Sequence, residues 1–211
     1  QVGDLGRWRD SLQHVASDPQ LREVILSGGD PLSLGDARLA QLTGELARIP
    51  HVETLRIHTR QPIVLPERID AGLLGWLRAL RWRIVVVVHA NHPNEIDAEV
   101  ETALGALRGT GATLLNQSVL LAGVNDDAAT LVALSRRLHA AGVLPYYLHL
   151  PDPVTGTAHF DVPEVRGREL VDQVARELPG YLVPRLVREI PGEAAKMVLA
   201  AGMSAGAAAI M

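Results

Sequence analysis

Five short apolar runs, rich in β-branched residues, recur along the chain, and each is closed by polar residues and followed by helical spacing. The runs cover residues 23–26, 54–58, 83–88, 113–121 and 144–150. The spacing predicts helices over 5–17, 36–48, 67–80, 95–107, 127–141 and 163–178. In the first of these, Leu5, Trp8, Leu12 and Val15 share one face. Apolar strands separated by helices predict a parallel sheet covered by helices. Without a Gly-x-Gly-x-x-Gly turn, the pattern fits a barrel or partial barrel better than a dinucleotide-binding sheet. An open parallel sheet is the alternative.

At 211 residues the chain has room for one α/β domain. Its net charge of -4 argues against direct nucleic-acid binding, because no basic stripe is present to neutralise phosphates. The apolar run at 84–88 is too short to cross a bilayer, and no signal peptide is visible, so a cytoplasmic protein is expected. There is no cysteine, which excludes disulfides and thiolate metal sites within these residues. The Ala/Gly-rich tail at 200–211 is expected to be flexible and is given no function.

In a parallel barrel, ligands bind at the strand C-termini. Polar residues cluster at each of these positions: Ser27, Gly28, Gly29 and Asp30; His58, Thr59 and Arg60; His89, Asn91 and His92; Asn116, Gln117 and Ser118; His149 and Asp152. Five polar ends in succession predict a site. Gly28 and Gly29 would allow close backbone approach by a ligand, or simply form a turn with Asp30 capping it. Asn116 and Gln117 interrupt an apolar strand, so each either locks the barrel or, as preferred, bonds a ligand. Tyr146 and Tyr147 are consecutive on a strand and should point to opposite faces.

Lys196 is the single lysine among twenty basic residues, all the others being arginine. Arginine cannot form a Schiff base, so a position that stays lysine points to a need for a primary amine. The alternative is chance survival. Asp152 and Glu189 are acids that could neutralise a substrate ammonium, or be solvated surface carboxylates.

The ordered string of motifs resembles the lysine 2,3-aminomutase family. It runs through Ser27-Gly28-Gly29-Asp30-Pro31, Leu55-Arg56-Ile57-His58-Thr59-Arg60 with Pro62, and His89-Ala90-Asn91-His92-Pro93. It continues through Leu115-Asn116-Gln117-Ser118, Val124-Asn125-Asp126, Pro145-Tyr146-Tyr147 with Asp152, and Ala158-His159-Phe160. Tyr181-Leu182-Val183-Pro184 and the Pro191-Gly192 turn before Lys196 complete it. The resemblance covers about residues 1–196. Within the family, Tyr146-Tyr147-Leu148-His149 and Glu189 resemble the branch that supplies (R)-β-lysine for elongation factor P; fermentative or biosynthetic members are the alternative.

The resemblance implies a partial (βα)6 radical-SAM-type barrel of parallel strands with outer helices, lacking the first strand and cysteine loop. The barrel would span 1–180, followed by a lysine-bearing segment at 181–199. It implies a radical SAM aminomutase that moves the amino group of L-lysine from C2 to C3, using S-adenosylmethionine, a [4Fe-4S] cluster and pyridoxal phosphate (PLP). Lys196 would hold PLP. Ser27, Gly28, Gly29, Asp30, His89 and Gln117 would line the S-adenosylmethionine pocket, and Asp152 and Glu189 would bind the substrate's side-chain ammonium. The implied partners are free lysine, a reductant protein, a homo-oligomeric copy, and a functional link to elongation factor P and its ligase.

The family's cluster-binding cysteines are expected upstream of Gln1, so this stretch alone should be inert and contributes no metal ligand. Two rival readings are a barrel metal hydrolase using His58, His89, His92 and His149, and a non-catalytic degenerate homologue with a protein-binding role. The hydrolase requires the imidazoles to converge at ligand distance.

Overall fold

The structure is a computed structural model that describes residues 5–151, 158–189 and 196–199. The tail at 200–211 and Asp152 lie outside the described residues. Seven strands form one sheet in sequence order: β1 (Glu23–Leu26), β2 (Thr54–Thr59), β3 (Arg83–Val88), β4 (Thr113–Val119), β5 (Leu144–His149), β6 (Arg185–Arg188) and β7 (Met197–Val198). Every neighbouring pair from β1 to β6 is parallel, and β7 returns antiparallel to β6. The sheet curls into a half-barrel.

Helices fill the connections: α1 (Leu5–Ser17), α2 (Asp36–Leu46), the single turn α3 (Gln61–Val64), α4 (Ala71–Ala79), α5 (Ala98–Arg108), α6 (Ala128–Ala140) and α7 (Glu164–Glu177). On β2 the side chains alternate, with Leu55, Ile57 and Thr59 buried and Thr54, Arg56 and His58 only partly so. The buried set faces the helices and joins Leu73, Val86, Val88, Leu104 and Leu114 in one core. A second core gathers Leu148, Leu170, Val174 and Leu186 beneath α7. Each such side chain contributes about 1.5–3 kcal/mol on burial, which is what holds the helices against the sheet. The opposite, concave face is left for polar groups.

Four sequence expectations change. The helix expected at 67–80 is a 3-10 turn, Pro66–Arg68, followed by α4, because the Asp70 carboxylate accepts from Leu73 N (2.9 Å) and starts the helix there. Likewise α5 starts at Ala98, where Asp97 accepts from the amides of Glu99 and Val100, after a separate 3-10 turn at Pro93–Glu95. The fourth strand stops at Val119 instead of continuing to Leu121. There the Asn125 side chain donates to Val119 O (2.9 Å) and accepts from Leu121 N (2.7 Å), turning the chain away from the ladder.

The fourth change concerns the tyrosines. Asn116 pairs with Pro145 and the next residue, Gln117, pairs with Tyr147, so Tyr146 is an extra residue in β5. This bulge cancels the strand's alternation at one step. Tyr146 and Tyr147 therefore lie side by side, with ring centroids 3.7 Å apart and the Tyr146 hydroxyl donating to that of Tyr147 (2.9 Å).

Candidate active site at the strand C-termini

The loop after β1 is set by its glycines. Gly28 (φ 85°) and Gly29 (φ 130°) lie in backbone regions that favour glycine. They deliver Asp30, whose carboxylate accepts from Leu32 N (3.0 Å), Thr59 Oγ1 (2.7 Å) and Arg60 N (2.6 Å). Asp30 thus caps its own turn and ties the ends of β1 and β2 together.

Asn116, read as leaning towards ligand contact, is instead a lock. Its amide accepts from Ala90 N (2.8 Å) and donates to Ala90 O (3.1 Å) and Ser118 Oγ (2.9 Å), and it is 1% exposed. All its capacity goes to fixing the end of β3 against β4. Gln117, one residue on, turns to the concave side, where its Oε1 is buried without a partner. The Nε2 atoms of His58 and His89 are buried and unpartnered too.

A cavity of about 230 Å³ opens over these strand ends. Arg60, His89, Asn91, Gln117, Val119, His149, Leu150 and Glu189 line it. Ser27 and Gly29 do not reach this cavity. They border a separate groove of about 210 Å³ between α1, β1 and α2, beside Trp8 and Leu12. The structure therefore gathers His89, Gln117 and Glu189 at one cavity, while Ser27 and Gly29 line the groove beside it.

Lys196 is placed by the β6–β7 pairing, whose register sets Arg188 opposite Met197 and hence Glu189 opposite Lys196. Its Nζ donates to Glu189 Oε1 (2.6 Å), stands 3.3 Å from His149 Nε2, and lies 5.7 Å from the centre of the Tyr147 ring. Carboxylate, imidazole and aromatic face together make a cradle for one primary ammonium. Glu189, expected to hold a substrate ammonium, here holds the protein's own. No sequence signal showed that β6 and β7 pair antiparallel.

The electrostatics favour neutral imidazoles. Burial, followed by the Arg56 charge, lowers the His58 pKa to about 4. Burial, followed by the Lys196 charge, lowers that of His149 to about 4 as well. Burial also lowers His89. The hydrogen bond from Lys196 depresses Glu189, and burial raises Tyr147. A neutral His149 can accept a proton in a hydrogen bond from Lys196, which an imidazolium could not.

The histidines do not converge as a hydrolase centre would need. His92 is spent capping the turn at Pro93–Glu95, where its Nδ1 accepts from Asn94 N (3.2 Å), and His149 Nε2 stands against the Lys196 amine (3.3 Å). Among the described residues, no group of three or more His, Cys, Asp or Glu side chains is arranged to hold a metal ion.

Two solved structures share the architecture. A radical SAM methyltransferase from Sphaerobacter thermophilus aligns with TM-score 0.53 at 19% identity, over 80% of this chain and 51% of that one. Streptococcus suis SuiB aligns with TM-score 0.60 at 10% identity, over 89% and 44%. The fold is a partial radical SAM barrel.

In sequence the chain is similar to several curated proteins named L-lysine 2,3-aminomutase. The Escherichia coli (strain K12) protein is 47% identical over 197 residues, covering 93% of this chain and 58% of that protein. The Haemophilus influenzae protein is 46% identical over 94% and 59%, and that of Clostridium subterminale 39% over 88% and 44%. The chain thus spans less than three fifths of the length of these curated relatives. No family model matches the chain.

Proposed function

We propose that the protein carrying this chain is a radical SAM aminomutase that converts L-lysine to β-lysine, with Lys196 holding PLP. The observation that carries this reading is the placement of Lys196. The single lysine of a chain 47% identical to an L-lysine 2,3-aminomutase has its amine cradled at the strand C-termini, beside a polar cavity.

The residues present suit the organic groups. Unpartnered His58 Nε2, His89 Nε2 and Gln117 Oε1 call for a polar ligand, since each buried unpaired group costs about 1–3 kcal/mol. His89 and Gln117 would bond S-adenosylmethionine in the cavity. Gly28, Gly29 and Asp30 would shape the adjoining loop, with Ser27 beside it. The residues present do not suit a [4Fe-4S] cluster, because the chain has no cysteine. When bound, PLP and S-adenosylmethionine supply imine and radical chemistry respectively.

The chain's own part is to bind, orient and exclude water. Glu189 holds an ammonium at the cavity wall, and His149 receives an N–H of Lys196 on its neutral ring. Once Lys196 is engaged elsewhere, Glu189, with Asp152, would be left to take the side-chain ammonium of lysine. Leu150 and Val119 give the cavity apolar walls that limit water. Supply of β-lysine to elongation factor P and its ligase, a reductant partner and a homo-oligomeric state complete the proposal.

The test uses the full-length protein incubated with PLP, reduced with borohydride and digested. Mass spectrometry should find the pyridoxyl group on Lys196, and the enzyme given S-adenosylmethionine and reductant should form β-lysine from L-lysine. A label elsewhere, or none, would overturn the assignment of Lys196. Labelling without β-lysine would overturn the reaction.

A further inference from the structure

The strand-end residues divide into two depths. Along β2 and β3 the register sets His58 opposite Val87 and Thr59 opposite Val88. Extending it by one residue sets Arg60 beside His89, and both line the cavity. His58 is two residues before Arg60 on the same concave side, so it lies one step below the cavity wall. It is not among the cavity-lining residues, yet its Nε2 is buried and unpartnered. Its ring meets that of His89 edge-on, with centroids 6.0 Å apart.

The groups within electrostatic reach of His58 are its neighbours on the concave side. They are Arg56 on its own strand, His89 after β3, His149 at the end of β5 and Lys196 before β7. It therefore shares the concave side with the amine and its imidazole partner, within electrostatic reach of both. The groups around it are cationic or potentially so, apart from Glu189, whose carboxylate is paired with Lys196, and burial keeps the ring neutral. A neutral imidazole with one buried nitrogen free suits a hydrogen bond to an oxygen of a ligand that is itself held on the lysine side.

We propose that His58 is a cofactor-binding residue, its Nε2–H donating to an oxygen of the PLP that Lys196 holds. This rests on the reading of Lys196 given above. No covalent step is required of His58. Its role is to fix the ring below the cavity, leaving His89 and Gln117 to the ligand above.

The experiment compares full-length wild-type protein with His58→Gln and His58→Ala, using PLP and S-adenosylmethionine as separate probes. Both variants should weaken PLP binding, His58→Ala by about tenfold, the scale of one lost hydrogen bond of about 1.4 kcal/mol. They should also shift the absorption maximum of the bound cofactor and leave the affinity for S-adenosylmethionine within about twofold. His58→Gln keeps a polar head group and carries the measurement if His58→Ala does not fold. Unchanged PLP affinity and spectrum in a variant that still traps PLP on Lys196 would overturn the proposal alone. So would a loss confined to S-adenosylmethionine. A wild-type protein that never traps PLP on Lys196 would instead overturn the underlying reading.

Discussion

Lys196 Nζ and Glu189 Oε1 are 2.6 Å apart although six residues separate the two positions, because the antiparallel return of β7 sets them opposite each other. The pair is partly open to solvent, with side-chain exposures of 27% and 52%. Under the proposed reaction its consequence is one of site chemistry more than of folding: the same carboxylate would be offered first to the protein's amine and then to a ligand's.

Replacing Glu189 by Gln should therefore separate stability from function. An exposed pair of this kind contributes about 0–1 kcal/mol, so urea unfolding of E189Q should stay within that range of wild type. The KM for lysine should rise by about tenfold or more, since a carboxylate facing an ammonium is replaced by a neutral amide. Steady-state kinetics on the full-length enzyme check this.

Asn116→Leu should do the reverse. It leaves the Ala90 amide without its partner in a buried position and removes the lock between β3 and β4. A loss of about 2–4 kcal/mol is expected, read as a lower urea midpoint.

Acid should destabilise the fold through its histidines. His58 and His149 have folded-state pKa values of about 4, below the ordinary value of 6.5. Between these limits the unfolded chain takes up protons that the folded one refuses, so their stabilising effect is complete above pH 6.5 and is lost as pH falls towards 4. Each contributes at most about 1.4 kcal/mol per pH unit, less for the partly exposed His58. Urea unfolding at pH 7, 6 and 5 should show the decline, and H149Q should flatten it.

Gly29→Ala should strain the loop after β1. At φ 130° a side chain is rarely accommodated, and a cost of about 1–3 kcal/mol follows. Because Asp30 follows directly and holds Thr59 and Arg60, the variant should also weaken S-adenosylmethionine binding, measurable by titration calorimetry.

The parallel strands, the outer helices and the polar strand ends were legible because apolar periodicity is a local property, and residues 84–88 or 113–119 carry it unaided. Helix starts at Ala71 and Ala98 were misplaced because an aspartate cap overrides the apolar pattern before it. Asn116 and Gln117 look alike in sequence. They part only in space, where one meets the Ala90 backbone and the other meets a cavity. The tyrosine pair was misread because a bulge depends on the partner strand, and nothing in Pro145-Tyr146-Tyr147 alone shows it. Lys196 stood out by composition, but its partners did not, since β6 is four residues long and β7 two.

That two-residue strand has a thermal consequence. Both its side chains are largely exposed, Met197 at 47% and Val198 at 54%, and the next residue, Leu199, is the buried peg, its amide donating to Leu186 O (2.9 Å). So small a ladder opens with a fraction of the free energy needed to melt the sheet. The amine can thus leave its seat while the half-barrel stays folded. On heating, the absorption band of PLP held on Lys196, as proposed, should shift several degrees before the far-ultraviolet circular dichroism signal falls.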